Sequence, residues 1–250
     1  MAFGKRKTEY VYRHVYVATP AYDGKVDSEY MLSLAQACQL ATINGINITA
    51  GILGNGAFID LARCKLAQLF LEENPDCTHL FFIDGDLEFD PQAFVALVQS
   101  GKPVCAGAYR KRQDKEEYPI RWKAHKDGGL WVENGWVMCD RVATGFLCIE
   151  RSVLERMSKE RPIIKGQAGQ KDMAQLFYTF INDDGHFMGE DFAWCDDYMR
   201  IYGEPIAVWP DFDFTHGGYE GNWNTFLEKE IATSQAEELE KLKAEQSSAA

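Results

Sequence analysis

The sequence predicts a single α/β domain built around a central β-sheet, and three observations lead to this prediction. The chain has 250 residues, a length that one α/β domain often reaches. Its first half alternates strand-like and helix-like apolar patterns. One strand-like run, Leu80–Ile83, is apolar at every position, as expected of a strand that helices cover on both faces of a mostly parallel sheet.

Four strands and three helices are predicted in the first half of the chain. Runs of β-branched and aromatic residues predict the strands, and apolar residues three and four positions apart predict the helices. The strands are Val11–Ala18, Ile46–Leu53, Leu80–Ile83 and Val104–Tyr109, and the helices run from Ser28 to Asn44, from about Ile59 to Phe70 and from Gln92 to Gln99. Turn chemistry sets the boundaries: Pro20 should end the first strand, Gly45 caps the first helix, and Asp90-Pro91 begins the third.

The second half departs from this alternation and is predicted to be α+β in character. Turn signals at Gly128-Gly129 and Asn134-Gly135 predict hairpin strands. A buried strand at Phe146–Ile149, helices from about Ser152 to Lys159 and from Gly189 to Gly203, and a last strand at Ile206–Trp209 are expected to follow. The main domain would comprise residues 1–226, and residues 227–250 would form a polar, helical and peripheral tail.

Charge and cysteine content exclude several classes of protein. The chain has 38 acidic and 26 basic residues, a net charge of −12, which disfavours a protein that coats nucleic acid. The seven cysteines are widely spaced and include no C-x-x-C pair, so neither a disulfide framework nor a zinc cage is expected. No apolar leader follows the basic N-terminus, and no apolar run reaches the roughly 18 residues of a membrane span. We therefore expect a soluble, cytoplasmic protein.

Two aspartates stand at the end of the buried third strand, in the motif Asp84-Gly85-Asp86. Ligands of open parallel sheets bind beyond the carboxyl ends of the strands, so this motif and residues 19–23 should line one cleft. Two ionised carboxylates at a buried strand end need compensating charge, which a divalent cation and a nucleotide diphosphate can supply together. The motif alone is weak evidence, because Asp211-Phe212-Asp213 repeats its spacing.

Three further groups could act with this motif, and each also has an ordinary structural explanation. Arg63 is either half of an exposed helical pair with Asp60 or a planar donor for a base, ribose or phosphate. Glu190 and Asp191 either complement a helix N-terminus or include an ionised general base. His216, which two glycines follow, is either a packing residue or a metal ligand.

A basic, aromatic-rich segment at residues 110–126 stands out in the acidic chain. It contains seven basic and three acidic side chains. Such a segment is a solvated face, a contact for donor phosphates, or a site for an anionic or stacked partner such as nucleic acid, and we favour the first two. The basic residues are Arg110, Lys111, Arg112, Lys115, Arg121, Lys123 and Lys126.

Taken together, six motifs give the chain a resemblance to compact GT-A-type glycosyltransferases of the family-2-like kind found in bacteria and their viruses. The motifs lie between about Val11 and Gly218, in the order that this family shows. They are Val17-Ala18-Thr19-Pro20-x-Tyr22-Asp23-Gly24, Ile59-Asp60-x-Ala62-Arg63, Phe82-Ile83-Asp84-Gly85-Asp86, Ala143-Thr144-Gly145-Phe146, Gly189-Glu190-Asp191 and His216-Gly217-Gly218. Each motif is loose alone, and the ordered set is more specific than any member.

The resemblance implies a Rossmann-like α/β/α sandwich with a mostly parallel central sheet. Residues of about 11–110 would hold a nucleotide-sugar, and residues of about 111–226 would shape the α+β acceptor half. The activity implied is metal-dependent transfer of a hexose or pentose from a nucleoside diphosphate sugar to an acceptor hydroxyl, with inversion. The cofactor would be Mn²⁺ or Mg²⁺. The acceptor would be a glycan, a small molecule or, less favoured, a modified DNA base.

The resemblance also implies a role for each matching residue. Asp86, with Asp84 and His216, would bind the metal, while Asp191, or Glu190 in its place, would be the catalytic base. The donor would contact Thr19, Pro20, Tyr22, Asp23, Arg63, Asp84, Gly85 and Asp86, and the sugar or acceptor would contact Ala143, Thr144, Gly145 and Arg110.

Two other functions stay open on the sequence. Haloacid-dehalogenase-like phosphatases also place Asp-x-Asp after an apolar strand, with the first aspartate as nucleophile. That strand normally begins their domain, whereas here it follows residue 79. A non-catalytic nucleotide-sugar-binding protein would leave the cleft carboxylates without a chemical role. The acidic tail after Gly221 and the basic insertion around Arg112 have no counterpart in the family pattern, which leaves the acceptor open.

Overall fold

Strands and helices alternate through the first half of the chain, as the sequence predicts. We describe them from a computed structural model, in residues 12–54, 56–125, 129–166 and 169–232. The elements are β1 (Arg13–Ala21), α1 (Ser28–Ile43), β2 (Ile46–Gly54), α2 (Ile59–Glu73), β3 (His79–Ile83), β4 (Leu87–Phe89), α3 (Pro91–Gln99) and β5 (Val104–Gly107). The short strand β4 was not predicted, and Val11, where the first strand was expected to begin, lies outside the described residues.

The second half contains the predicted strands and helices together with several short strands. They are β6 (Arg121–Trp122), β7 (Val132–Glu133), β8 (Trp136–Arg141), β9 (Phe146–Glu150), α4 (Arg151–Glu160), β10 (Ile163–Ile164), β11 (Met173–Ala174), β12 (Phe180–Ile181), β13 (Phe187–Met188), α5 (Glu190–Tyr202), β14 (Ile206–Trp209), β15 (Asp213–His216) and β16 (Tyr219–Asn222). The hairpin β7–β8 turns at Asn134 and Gly135, whose φ angles are 51° and 85°. This confirms the Asn-Gly turn, since both positions need the left-handed region. Gly128 and Lys126 lie outside the described residues.

The central sheet is mixed rather than uniformly parallel. Its nine strands follow the order β2-β1-β3-β9-β5-β14-β8-β6, with β7 also on β8. The parallel prediction holds for β1 with β2 and β3, and for β5 with β14. Strand β9, in contrast, is antiparallel to both β3 and β5. The carboxyl ends of β1, β3 and β5 and the amino end of β9 therefore meet at one edge of the sheet, and both halves of the chain contribute to it.

Two apolar cores lie on opposite faces of this sheet. Alternate residues of β1 point to opposite sides: Val15 and Val17 pack with α1 and α3, while Tyr16 and Ala18 pack with α2, α4 and α5. Burial on both faces explains why residues Leu80–Ile83 of β3 are all apolar. The arrangement is consistent with a Rossmann-like nucleotide-binding fold.

The predicted end of the first strand at Pro20 is wrong, because β1 continues through this residue. Thr19, Pro20 and Ala21 remain in register with Ile52, Leu53 and Gly54 of β2. The pairing of β1 with β3 stops at Ala18, so the last residues of β1 have a neighbour on one side only. Proline is tolerated at such an edge because its missing N–H is not needed there.

The C-terminal helix begins earlier than the predicted tail. Residues 223–232 are helical, and Trp223 and Leu227 are 1% and 6% exposed within the core. This first part of the helix is therefore integral to the fold rather than peripheral. Residues 233–250 of the predicted tail lie outside the described part of the chain.

All seven cysteines are free thiols, and all except Cys38 are buried. Among the described residues, none of the helices has both the length and the apolar character required to cross a membrane.

Arg151 anchors the C-terminal end of α2, the helix that carries Arg63. Its guanidinium donates to the carbonyl oxygens of Phe70 (3.0 Å), Asn74 (2.7 Å) and Cys77 (2.7 Å). It also lies 4.1 Å from the centre of the Phe70 ring. The last carbonyls of a helix have no partner within the helix, so a positive donor from α4 satisfies them and favours the helix dipole.

We expect Arg151→Ala to lower the free energy of unfolding by about 2–3 kcal/mol, because several partly buried carbonyls would lose a charged donor. Chemical denaturation measures the change. Lys159→Ala is the matched control, because Lys159 is an exposed residue in the last turn of α4, the helix that Arg151 begins. This change should cost less than about 0.5 kcal/mol. Equal losses in the two variants would contradict the anchoring role.

Candidate active site

A cleft lies at the edge of the sheet where β1, β3 and β5 end. Its volume is about 400 Å³, and its walls come from the loop after β1, the motif after β3 and the basic segment after β5. Six of the residues expected to contact the donor line it: Pro20, Tyr22, Asp23, Asp84, Gly85 and Asp86. The topology thus brings together motifs that are distant in the sequence.

Arg63 joins the motif after β3 to the start of α5. The Nη2 atom of Arg63 lies 2.9 Å from Oδ1 of Asp84, and its Nε lies 3.4 Å from Oε1 of Glu190, which is 127 residues away in sequence. Burial alone would lower the pKa of Arg63, but Asp84 and Glu190 raise it above its usual value, so the side chain stays charged. Arg63 is 3% exposed, so the interpretation as an exposed pair with Asp60 is wrong.

The backbone at Gly145 fixes the position of Asp84. The Asp84 amide donates to the Gly145 carbonyl (2.9 Å), and the Gly145 amide donates to the Tyr109 hydroxyl (2.9 Å). A Cβ atom at Gly145 would overlap both the Tyr109 hydroxyl and Oδ2 of Asp84. Burial, and then the charge of Asp84, raise the pKa of Tyr109 well above its usual value, which keeps the hydroxyl protonated.

Asp86 has two cationic or potentially cationic neighbours. Its Oδ2 lies 2.7 Å from Nη1 of Arg112 and 3.5 Å from Nε2 of His216. The contact with His216 lowers the pKa of Asp86 by more than burial raises it. His216 comes from β15, which pairs with β4 directly after the motif. The pairing of these two short strands therefore places the histidine beside Asp86.

Asp86 and His216 are chemically suited to a divalent cation, whereas Asp84 is already engaged by Arg63. The Nδ1 of His216 lies 2.9 Å from the carbonyl oxygen of Arg110. A carbonyl only accepts, so Nδ1 carries a proton. Burial alone would lower the pKa of His216, but its contacts with Asp86 and the Arg110 carbonyl raise it above its usual value, which favours a second proton on Nε2. A metal ion at this site would take the place of that second proton. Among the described residues, no three His, Cys, Asp or Glu side chains converge into a complete site. Donor oxygens would have to complete the coordination.

Asp191 follows Glu190 in the first turn of α5 and is mostly buried. Burial and the neighbouring charge of Glu190 raise its pKa to about 6, although its Oδ1 accepts a hydrogen bond from the Phe192 amide (2.7 Å). The helix N-terminus was expected to keep this carboxylate ionised at pH 7. It is still mostly ionised there, but its proton affinity is that of a base suited to neutral pH.

Four of the sequence-predicted contact residues are either buried in the protein or hydrogen-bonded to it. The Thr19 hydroxyl is fully buried and bonds to the hydroxyl of Tyr30. Ala143 and Thr144 are 7% and 1% exposed. Arg110 donates to the carbonyls of Gln113, Asp114 and Glu220, so it shapes its own loop. Roles for these residues in ligand binding stay predictions.

Tyr109 and Arg112 contribute to the site. From the sequence, Tyr109 has no assigned role, and Arg112 enters only as a member of the basic segment, for which a contact to donor phosphates is one interpretation. Tyr109 follows β5, whose carboxyl end opens on the cleft, and this position in a strand-helix pattern is the signal that could have identified it. Arg112 lies in an irregular loop, where sequence periodicity says nothing about side-chain direction.

Three of the seven basic side chains of the segment form ion pairs with nearby carboxylates. Lys111 pairs with Glu117, Arg112 with Asp86 and Lys123 with Asp140. These pairs favour a structural face and a contact to the cleft over an open polyanion-binding surface.

Comparisons with known proteins find distant structural similarity. No protein-family model matches the chain, and neither does any curated protein sequence. The structure is similar to that of A197 from STIV, with 19% identity and a TM-score of 0.48 over 82% of this chain and 85% of that one. It is also similar to a glycosyltransferase involved in the glycosylation of the major capsid of PBCV-1, with 10% identity and a TM-score of 0.32 over 58% and 63% of the two chains. A third similar structure is GalNAc-T7 with UDP, GalNAc and Mn²⁺, with 12% identity and a TM-score of 0.44 over 83% of this chain and 44% of that one.

We expect Gly145→Ala to disturb the cleft, because the added methyl group overlaps the Tyr109 hydroxyl and the Asp84 carboxylate. The change should lower the free energy of unfolding by about 1–3 kcal/mol. Gly56→Ala is the matched control, since its Cβ would meet only the Ala62 side chain at an ordinary 3.4 Å. Thermal and chemical denaturation of both variants test this, and equal stabilities would show that the packing around Gly145 is loose.

Asp191 should make the stability of the protein depend on pH. Its pKa of about 6 in the folded state exceeds the usual value near 3.9, so the folded state binds the proton more tightly than the unfolded chain does. The stabilisation that comes from this tighter proton binding by Asp191 is therefore complete below about pH 4, and it is lost as the pH rises through about 6.

Asp191→Asn should accordingly be more stable than the wild type at pH 7, by about 1–3 kcal/mol, and the difference should vanish towards pH 4. Urea denaturation across this range measures it. Asp184→Asn, an exposed aspartate between β12 and β13, controls for the loss of one charge. A difference that is constant from pH 4 to 7 would contradict the raised pKa of Asp191.

Proposed function

We propose that the protein is a glycosyltransferase that uses a nucleoside diphosphate sugar as donor. One observation carries this proposal: buried Arg63 binds both Asp84, in the motif after β3, and Glu190, which precedes Asp191. Arg63 thereby ties the cleft motif, which is suited to a diphosphate, to the start of α5, where Asp191 is suited to proton abstraction. The combination is what transfer of a sugar to a hydroxyl requires.

The donor would lie in the cleft against the residues that follow β1 and β3. Tyr22 is 76% exposed on the cleft wall and offers a flat surface for a base. Asp84 lines the cleft and is 23% exposed at its side chain, where it would contact a ribose or sugar hydroxyl. A Mn²⁺ or Mg²⁺ ion held by Asp86 and His216 would neutralise the charge that develops on the departing nucleoside diphosphate.

Asp191 would act as the general base. An acceptor hydroxyl transfers its proton to the carboxylate while its oxygen forms a bond to the anomeric carbon, and the bond from that carbon to the diphosphate oxygen breaks. The electron pair of the broken bond leaves with the nucleoside diphosphate. Attack on the face opposite the leaving group inverts the anomeric configuration. Glu190 is the weaker candidate for this role because Arg63 already engages its carboxylate.

A glycan or a small molecule is the favoured acceptor. The ion pairs of Lys111, Arg112 and Lys123 engage three of the seven basic side chains of the segment, which reduces the positive charge available to hold a DNA backbone. The phosphatase alternative is disfavoured by charge, because a nucleophilic Asp84 would have to attack while a buried guanidinium holds its oxygen 2.9 Å away.

A panel of nucleotide-sugars tested by thermal shift, with and without Mn²⁺, should identify a stabilising donor. With that donor, we expect Asp86→Ala to weaken Mn²⁺-dependent donor binding at least tenfold. Asp191→Asn should retain donor binding but lower kcat for transfer or donor hydrolysis by about 10²- to 10⁴-fold, the usual contribution of a general base.

Asp211→Ala is the matched control, because Asp211 belongs to the second Asp-x-Asp sequence and is exposed. It should leave binding and turnover unchanged. Full turnover by Asp191→Asn would show that the base is elsewhere. Donor binding without transfer or hydrolysis by the wild type would favour the non-catalytic alternative.

A further inference from the structure

Arg112 approaches the same carboxylate oxygen of Asp86 that a divalent cation would use. Its Nη1 lies 2.7 Å from Oδ2 of Asp86, and Nε2 of His216 lies 3.5 Å from that same atom. The guanidinium and the imidazole therefore both lie close to this one oxygen. Asp86 is 28% exposed at its side chain, so its charge is only partly screened by water.

The backbone around Arg112 is held independently of this ion pair. The amide of Lys111 donates to the Glu117 carbonyl (2.8 Å), and the amide of Gln113 donates to the Lys111 carbonyl (2.9 Å). The Arg110 guanidinium closes the same loop on Gln113 and fastens it to Glu220 of β16. The loop can therefore keep its shape when the Arg112 side chain moves.

The Arg112 side chain itself is poorly anchored. It is 58% exposed, and its aliphatic part runs over Gly217, where any Cβ atom would overlap its Cδ. Gly217 has a φ of 55°, so a side chain is disfavoured there for backbone reasons as well. An exposed arginine on a smooth glycine surface can leave its partner at little cost in packing.

We propose that Arg112 is a built-in counter-ion that competes with the divalent cation for Asp86. This inference rests on the proposed function, because it concerns the cation used there. Guanidinium and metal ion both bind the lone pairs of Oδ2 and repel each other, so occupation of the site by one disfavours the other. In the empty cleft Arg112 neutralises Asp86, and binding of the cation releases the arginine into the cleft.

The competition is tested by Mn²⁺ binding alone, measured by calorimetry or by the electron paramagnetic resonance signal of free Mn²⁺, without donor or acceptor. Arg112→Gln should bind Mn²⁺ about two- to fivefold more tightly than the wild type, the value expected for removal of a half-exposed ion pair. Arg112→Lys keeps the charge and should stay closer to the wild type. Since the side chain is mostly exposed, both variants should fold, which their thermal melting confirms.

Lys111→Gln is the matched control. It also removes one positive charge, from the residue next to Arg112, but Lys111 pairs with Glu117 and not with Asp86. Its Mn²⁺ affinity should equal that of the wild type, and Asp86→Asn should abolish the tight site in the Arg112→Gln background. Equal or weaker Mn²⁺ binding by Arg112→Gln overturns the competition, while donor-dependent thermal shifts show whether the proposed transferase site still stands. Binding of neither Mn²⁺ nor any donor by the wild type overturns both proposals.

Discussion

The buried guanidinium of Arg63 is the interaction on which the candidate site depends. At 3% exposure it is removed from water, and its two carboxylate partners, with the Phe82 ring 5.3 Å away, compensate for the loss of hydration. Removal of one partner of such a buried pair usually costs about 3–5 kcal/mol, because the remaining charge stays buried. Arg63 thus links the strand end that carries Asp84 to the start of α5, where Glu190 precedes Asp191.

Because arginine side chains neutralise the aspartates of the motif after β3, these aspartates do not by themselves require a metal ion. From the sequence, two aspartates at a buried strand end suggest a metal because something must neutralise them. In the folded chain Arg63 does this for Asp84, and Arg112 with His216 does it for Asp86. The carboxylates are therefore stable without an ion, and any cation that binds there exchanges with charges that the protein already supplies.

Much of the fold and the edge on which the cleft lies could be predicted because strand and helix periodicities are local properties. The end of β3 at Asp84, the capping of α3 by Asp90 and the end of α5 at Gly203 all follow from neighbouring residues.

The position of His216 could not be predicted, since it depends on pairing between β15 and β4, two strands of four and three residues with little periodic signal. The partner of Asp86 was equally hidden, because Arg112 reaches it from a loop whose shape is set by carbonyl contacts of Arg110. Continuation of β1 through Pro20 needed knowledge of which strand edge is unpaired.

The position of β9 has a consequence for how the chain acquires its shape during synthesis. This strand lies between β3 and β5 and is antiparallel to both, although it is made after them. Until residues 146–150 have left the ribosome, β3 has no partner opposite β1, and β5 has no connection to the nascent sheet through β9. A fragment that stops near residue 110 would expose two apolar strand edges and would be prone to aggregate. The first and second halves of the chain therefore depend on each other in folding.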